Sequence, residues 1–150
     1  MIDRYERFSY FLSATSRSLQ KLERDEMEKQ GLKGACAQYL VALYRSDNGL
    51  TASQLCDLCD KDKAAVSRMI TELESRGLVF RIGNNNNFYR ARVLLTDAGK
   101  KAALKVCQLV NSAVMSIGTE LTEEQRASFY DCFEILSKRL EELSKNGITQ

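Results

Sequence analysis

Residues 51–95 read TASQLCDLCDKDKAAVSRMITELESRGLVFRIGNNNNFYRARVLL, and within them the spacing of apolar residues changes from helical to alternating. Thr51-Ala52-Ser53-Gln54 has the form of a capping box, in which a hydroxyl and an amide side chain satisfy orphan N–H groups at a helix start. The helix it opens is short, ending near Asp60, with Leu55, Leu58 and Cys59 as its apolar face. A second helix is predicted from about Asp62 to Arg76, burying Val66, Met69, Ile70 and Leu73 and stopping at Gly77. Two short helices on a tight turn, the second more basic at its N-terminal end, form a helix-turn-helix pattern. Leu78, Phe80 and Ile82 then alternate with Val79, Arg81 and Gly83. Beyond Asn84-Asn85-Asn86-Asn87, Tyr89, Ala91, Val93 and Leu95 alternate with Phe88, Arg90, Arg92 and Leu94. This is a β-hairpin with a turn-tolerant asparagine tip, and a helix-turn-helix followed by a hairpin is a winged helix.

Working outward, Tyr5, Phe8, Leu12, Thr15, Leu19 and Leu22 form one stripe of an amphipathic helix from Arg4 to about Lys29. Gln30 to Gly34 break it, and a helix from Ala35 to about Ser46 is apolar nearly all round, as a central buried helix would be. Thr96 caps a helix reaching about Ile117, with Ala103, Val106, Val110, Ala113 and Ile117 on one side. A second capping box, Thr122 to Gln125, opens a final helix that carries Phe129, Phe133, Leu136, Leu140 and Leu143. The expected organisation is a mainly α fold: a dimerisation helix in 1–34, a winged helix in 35–96 with its wing at 78–95, and C-terminal dimerisation helices in 97–150. A winged helix is complete without the flanking helices, so their narrow stripes need another surface. Packing on their own core is one reading. The favoured one is a two-fold dimer through Tyr5, Phe8, Leu12, Phe129, Phe133, Leu136, Leu140 and Leu143.

The composition narrows the chemistry. The 150 residues contain no histidine, which excludes Ser-His and Cys-His nucleophile pairs, an imidazole base near neutral pH and mixed Cys/His zinc sites. No enzyme, cofactor or metal is expected. There is also no proline, as suits a chain of long helices. Met1 to Arg7 carry charge of both signs without a following apolar stretch, and no run approaches a membrane span, so a soluble cytoplasmic protein is expected. Five irregularly spaced cysteines read as reduced thiols.

Charge is unevenly placed. Residues 61–92 hold seven basic side chains (Lys61, Lys63, Arg68, Arg76, Arg81, Arg90, Arg92) against Asp62, Glu72 and Glu74, whereas outside 51–96 the chain has fifteen of each sign. Solvated surface would account for such a cluster; its coincidence with the winged helix points to double-stranded DNA. Lys63, Ala64, Ala65, Ser67 and Arg68 would enter the major groove, where small side chains allow close approach and Arg68 suits a bidentate guanine contact. Thr51, Ser53, Lys61 and Arg81 would hold phosphates, although Thr51 also reads as a simple cap, and Arg76 and Arg81 as partners of nearby acids. Asn85, Asn86, Asn87 and Arg90 would lie at the flanking minor groove.

Taken together, the chain resembles the MarR family of bacterial transcription regulators. The resemblance is carried by Leu50-Thr51 with Leu55, Asp62-Lys63 to Ser67-Arg68-Met69, Leu73 to Val79 with Arg81, and Leu95-Thr96-Asp97-Ala98-Gly99-Lys100. It implies a homodimer on a pseudo-palindromic operator, usually a repressor, released by a small amphipathic ligand or by thiol oxidation. Where the family's wing usually has Asp-x-Arg this chain has Asn87-Phe88-Tyr89, leaving Arg90 to substitute if the wing is shifted by one residue. Arg17, Tyr39, Leu43 and Tyr44, with Phe8 and Leu12, are candidate linings of a ligand pocket, and equally ordinary core. Cys56 and Cys59 have redox spacing, with buried thiols as the default. A winged helix used only for protein contact remains a distinct alternative.

Overall fold

The computed structural model describes residues 3–83 and 91–147. Its elements in chain order are α1 (Arg4–Lys29), α2 (Cys36–Tyr44), β1 (Leu50–Thr51), α3 (Ala52–Cys59), α4 (Lys63–Ser75), β2 (Val79–Ile82), β3 (Arg92–Leu95), α5 (Asp97–Gly118) and α6 (Glu123–Asn146). By its internal contacts the chain divides into two units, Met1–Asn111 and Ser112–Gln150, with the division inside α5.

The first unit holds the core. Helix α2 buries Cys36, Ala37, Tyr39, Leu40, Val41 and Leu43, and it contacts α1, α3 and β3. Leu55 of α3 and Val66, Ile70 and Leu73 of α4 close over it. Each such fully buried aliphatic side chain contributes about 1.5–3 kcal/mol. Three expectations for the core are corrected. Leu58 is 64% exposed, because Ala52, Leu55 and Cys59, at spacings of three and four, are the side of this short helix that faces inward. Tyr44, in the last turn of α2, turns outward. On α5 the buried run ends at Val106, and Ile117 is exposed.

The sheet is three-stranded and antiparallel, in the order β1-β3-β2. The hairpin was legible in the alternation of residues; the two-residue strand β1, which pairs Leu50 with Val93 and Thr51 with Arg92, was not. Pairing of Val79 with Leu95 sets both on the covered face, while Phe80 opposite Leu94 and Ile82 opposite Arg92 lie on the other. The hairpin is closed onto α5 by Thr96, whose backbone N–H donates to Leu78 O at 3.0 Å and whose hydroxyl donates to Gly77 O at 2.7 Å. The same hydroxyl accepts from Gly99 N at 3.1 Å and so caps α5.

In the second unit, Thr122 and Gln125 form the expected capping box of α6. Arg126 donates to Gly118 O at 2.9 Å and Leu121 O at 3.3 Å, satisfying carbonyls left open where α5 ends. Helix α6 buries none of its residues, and Phe129 and Phe133 stack at 5.6 Å on its surface.

Candidate nucleic-acid interface

Helix α4 begins at Asp62, whose carboxylate accepts from Ala65 N at 2.7 Å. Asp62 is therefore the N-cap rather than the first helical residue expected from the sequence. An anionic cap fits the positive end of the helix dipole. With Val66, Ile70 and Leu73 inward, the opposite side presents Ala64 and Arg68, while Lys63 is exposed because it stands in the first turn. Ala65 and Ser67 are half-buried at its margins. Thr71, one turn beyond Ser67 and exposed, extends this face and was missed in the sequence, although its spacing of four from Ser67 was the available signal. From Lys63 to Thr71 the face runs about 12 Å, close to the width of a B-DNA major groove.

Local ion pairs sort the basic cluster. Arg81 NH2 lies 2.7 Å from Glu74 Oε2 and Arg76 Nε 3.5 Å from Glu72 Oε1, which takes up the charge of both acids of α4. Arg92 donates to Asn48 O at 3.1 Å and Gly49 O at 3.3 Å, tying the base of the hairpin to the turn before β1. This contact joins residues more than forty apart and has no local sequence signal. Lys61, Lys63 and Arg68 are all exposed at the N-terminal half of α4, and Arg68 makes no ion pair or hydrogen bond to a described residue. Exposed positive charge thus gathers at the N-terminal end of the helix.

Beside it, the Thr51 hydroxyl accepts from Gln54 N at 3.3 Å, completing the capping box of α3 while Thr51 also pairs in the sheet. That hydroxyl is occupied by the cap; Ser53 in the first turn is exposed. The expected wing contacts Asn85, Asn86, Asn87 and Arg90 lie outside the described residues.

The remaining candidates fall in different environments. Tyr39 and Leu43 are core residues, with the Tyr39 hydroxyl pushed up to about 12 by burial, while Arg17 and Tyr44 are exposed. Cys59 is buried and its thiol pushed up to about 11 by desolvation, against a smaller downward pull from Lys61; Cys56 is half-buried. Among the described residues no group of three or more potential ligands is placed to hold a metal, and no helix is long and apolar enough to cross a membrane.

The sequence model of the MarR family matches residues 30–86, the stretch from the end of α1 to beyond β2. No curated protein matches the chain significantly in sequence. Among solved structures, a MarR transcriptional regulator from Methanosarcina mazei Go1 superposes with a TM-score of 0.78 at 24% identity, covering 92% of this chain and 99% of that one. A protein from Listeria monocytogenes assigned to the MarR family and complexed with 26mer DNA gives a TM-score of 0.75 at 20% identity, over 100% of this chain and 99% of that one. The reduced form of MarR from E. coli gives 0.69 at 21% identity, over 91% and 97%. The family's sequence model thus falls on the helix-turn-helix, and the chain has the winged-helix fold of these MarR structures.

Proposed function

We propose that the protein is a homodimeric, sequence-specific DNA-binding transcription regulator that works in the cytoplasm, represses from a pseudo-palindromic operator and is released by a small amphipathic ligand. The observation that carries this reading is the exposed side of α4, where Ala64 and Arg68 stand opposite the buried stripe, Lys63 is exposed in the first turn, and the two acids of the helix pair with Arg76 and Arg81. The DNA complex of the Listeria monocytogenes protein, which has the same fold, supports it. So does the complex of MepR from S. aureus with DNA, at a TM-score of 0.67 and 20% identity over 87% of this chain and 97% of that one. Dimerisation is supported by the apolar side chains that α1 and α6 leave in water, among them Tyr5, Phe8, Leu12, Phe129, Phe133, Leu136 and Leu140.

Titration of the protein into its own upstream DNA, followed by fluorescence anisotropy at several salt concentrations, tests the reading. Affinity is expected to fall steeply with salt and to fall again in Arg68→Ala. Binding that is indifferent to both would overturn it. Addition of small aromatic acids to the complex tests release.

A further inference from the structure

Helix α4 has a third side, neither buried in the core nor turned toward the groove. Met69, Glu72 and Arg76 follow one another at spacings of three and four, so they share it. All three reach the segment that leads from α1 into α2. Cys36 Sγ lies 3.6 Å from Met69 Sδ, Lys33 Nζ lies 3.0 Å from Glu72 Oε2, and Arg76 donates to Gly31 O at 3.3 Å. With Arg76 Nε 3.5 Å from Glu72 Oε1, each oxygen of one carboxylate holds a cation, one from either side of the junction. Glu72 is the less exposed member, at 23% against 67% for Lys33, so its charge is the less screened by water.

The junction itself is short and pinned. Leu32 N donates to Met27 O at 3.0 Å and Cys36 N to Lys33 O at 2.8 Å, so Lys33 follows the end of α1 closely. Burial of Val66, Ile70 and Leu73 holds α4 against the core but is non-directional, and tolerates a change of tilt. Directional contacts to Glu72 do not.

We infer that Glu72 is a positioning residue for DNA recognition: through Lys33 and Arg76 it makes the tilt of α4 follow the position of α1. This rests on the reading of the chain as an operator-binding dimer, in which α1 is held by the second copy and α4 enters the groove. Displacement of α1 would then reach the recognition helix through one carboxylate.

The test uses the full-length protein and three duplexes: the native operator, and versions with the half-sites one base pair closer or farther apart. Wild type is expected to prefer the native spacing. Glu72→Gln and Lys33→Met are each expected to weaken binding to the native operator by about threefold to tenfold and to flatten the spacing preference. The double variant should be no worse than Glu72→Gln alone, since that change already removes the contact to Lys33. The pair Lys33→Glu with Glu72→Lys should restore part of the preference, since the link between positions 33 and 72 returns while that to Arg76 does not. Thermal midpoints should move by no more than about 3 °C, as expected for an exposed ion pair. Variants that bind like wild type, that lose affinity equally on all three duplexes, or whose loss accompanies a collapse in thermal midpoint overturn the inference and leave the DNA-binding reading standing. Wild type that binds none of the duplexes overturns that reading, and the inference with it.

Discussion

Arg68 and Lys61 carry the same charge at neighbouring positions and would do different work on a duplex. Arg68 projects from the middle of the exposed face of α4, where a guanidinium would read a base edge, while Lys61 precedes the helix, where an ammonium would meet phosphate. Arg68→Ala is expected to cost about 1–3 kcal/mol on the cognate operator and to relax specificity at one base pair. Lys61→Ala should weaken all sequences alike and reduce the salt slope by about one. Competition titrations with mismatched operators separate the two. Gly99 offers a sharper test of packing. A Cβ there would sit 2.0 Å from Leu78 O, a backbone atom held in place by Thr96. Gly99→Ala should therefore cost about 3 kcal/mol or more in urea unfolding. Gly77, at φ +67° with open space around it, should lose only about 1 kcal/mol to alanine. Among the thiols, Cys132 is exposed while Cys36 and Cys59 are buried and pushed up by desolvation. Alkylation near neutral pH, followed by mass spectrometry, should label Cys132 first. Cys59 should react in the folded state only as the pH approaches 11.

Each element reports the physics that was visible locally. The two capping boxes at Thr51 and Thr122 were readable because four consecutive residues contain all the participants. Thr122→Ala is expected to lower stability by about 1 kcal/mol, and Thr51→Ala by more than Thr122→Ala, because Thr51 also belongs to the sheet. Helices α1, α4, α5 and α6 followed from the three-and-four spacing of Phe8 and Leu12, Val66 and Ile70, or Phe129 and Phe133. What the sequence hid was set at a distance. Strand β1 is too short to alternate, and exists only because Val93 and Arg92 arrive beside it. The clasp of Lys33 on Glu72 spans 39 residues, and Leu58 looked like core because a helix of eight residues shows too few turns to fix its inward side. At the candidate interface, the exposed residues Ala64 and Arg68 of α4 were legible from their place opposite the buried stripe. The pairing of Arg76 and Arg81 with nearby acids was among the readings that the sequence offered; which acid Arg81 takes was not, since Arg81 and Glu74 meet across two elements.

At the scale of the molecule, a formal charge of +2 conceals a neutral frame and a basic stretch in 61–92. The apolar side chains that α1 and α6 leave exposed are expected to be covered in a dimer. Phe8→Glu or Phe133→Glu should sediment as monomer and lose about a hundredfold or more in operator affinity, since two half-sites no longer act together. Stability should also carry a pH signature from Glu23. Partial burial raises its carboxyl above the ordinary value, although Arg45 and Arg24 pull it down. A raised carboxyl favours the folded state at pH below the unfolded value and loses that contribution as the pH climbs through the folded one. Glu23→Gln should therefore raise the thermal midpoint at neutral pH, with the gain shrinking as the solution is acidified toward pH 4.5.

Thr51 is at once the last residue of β1 and the cap of α3, and its sheet partner Arg92 holds the turn that leads into β1. The start of the helix-turn-helix and the root of the hairpin are consequently one stiff bracket. A protein gripping a duplex through both ends of such a bracket cannot adapt its span to the DNA; the DNA must bend or narrow to suit the span. Base pairs between the grips would then be selected by how easily they deform, although no side chain reaches them.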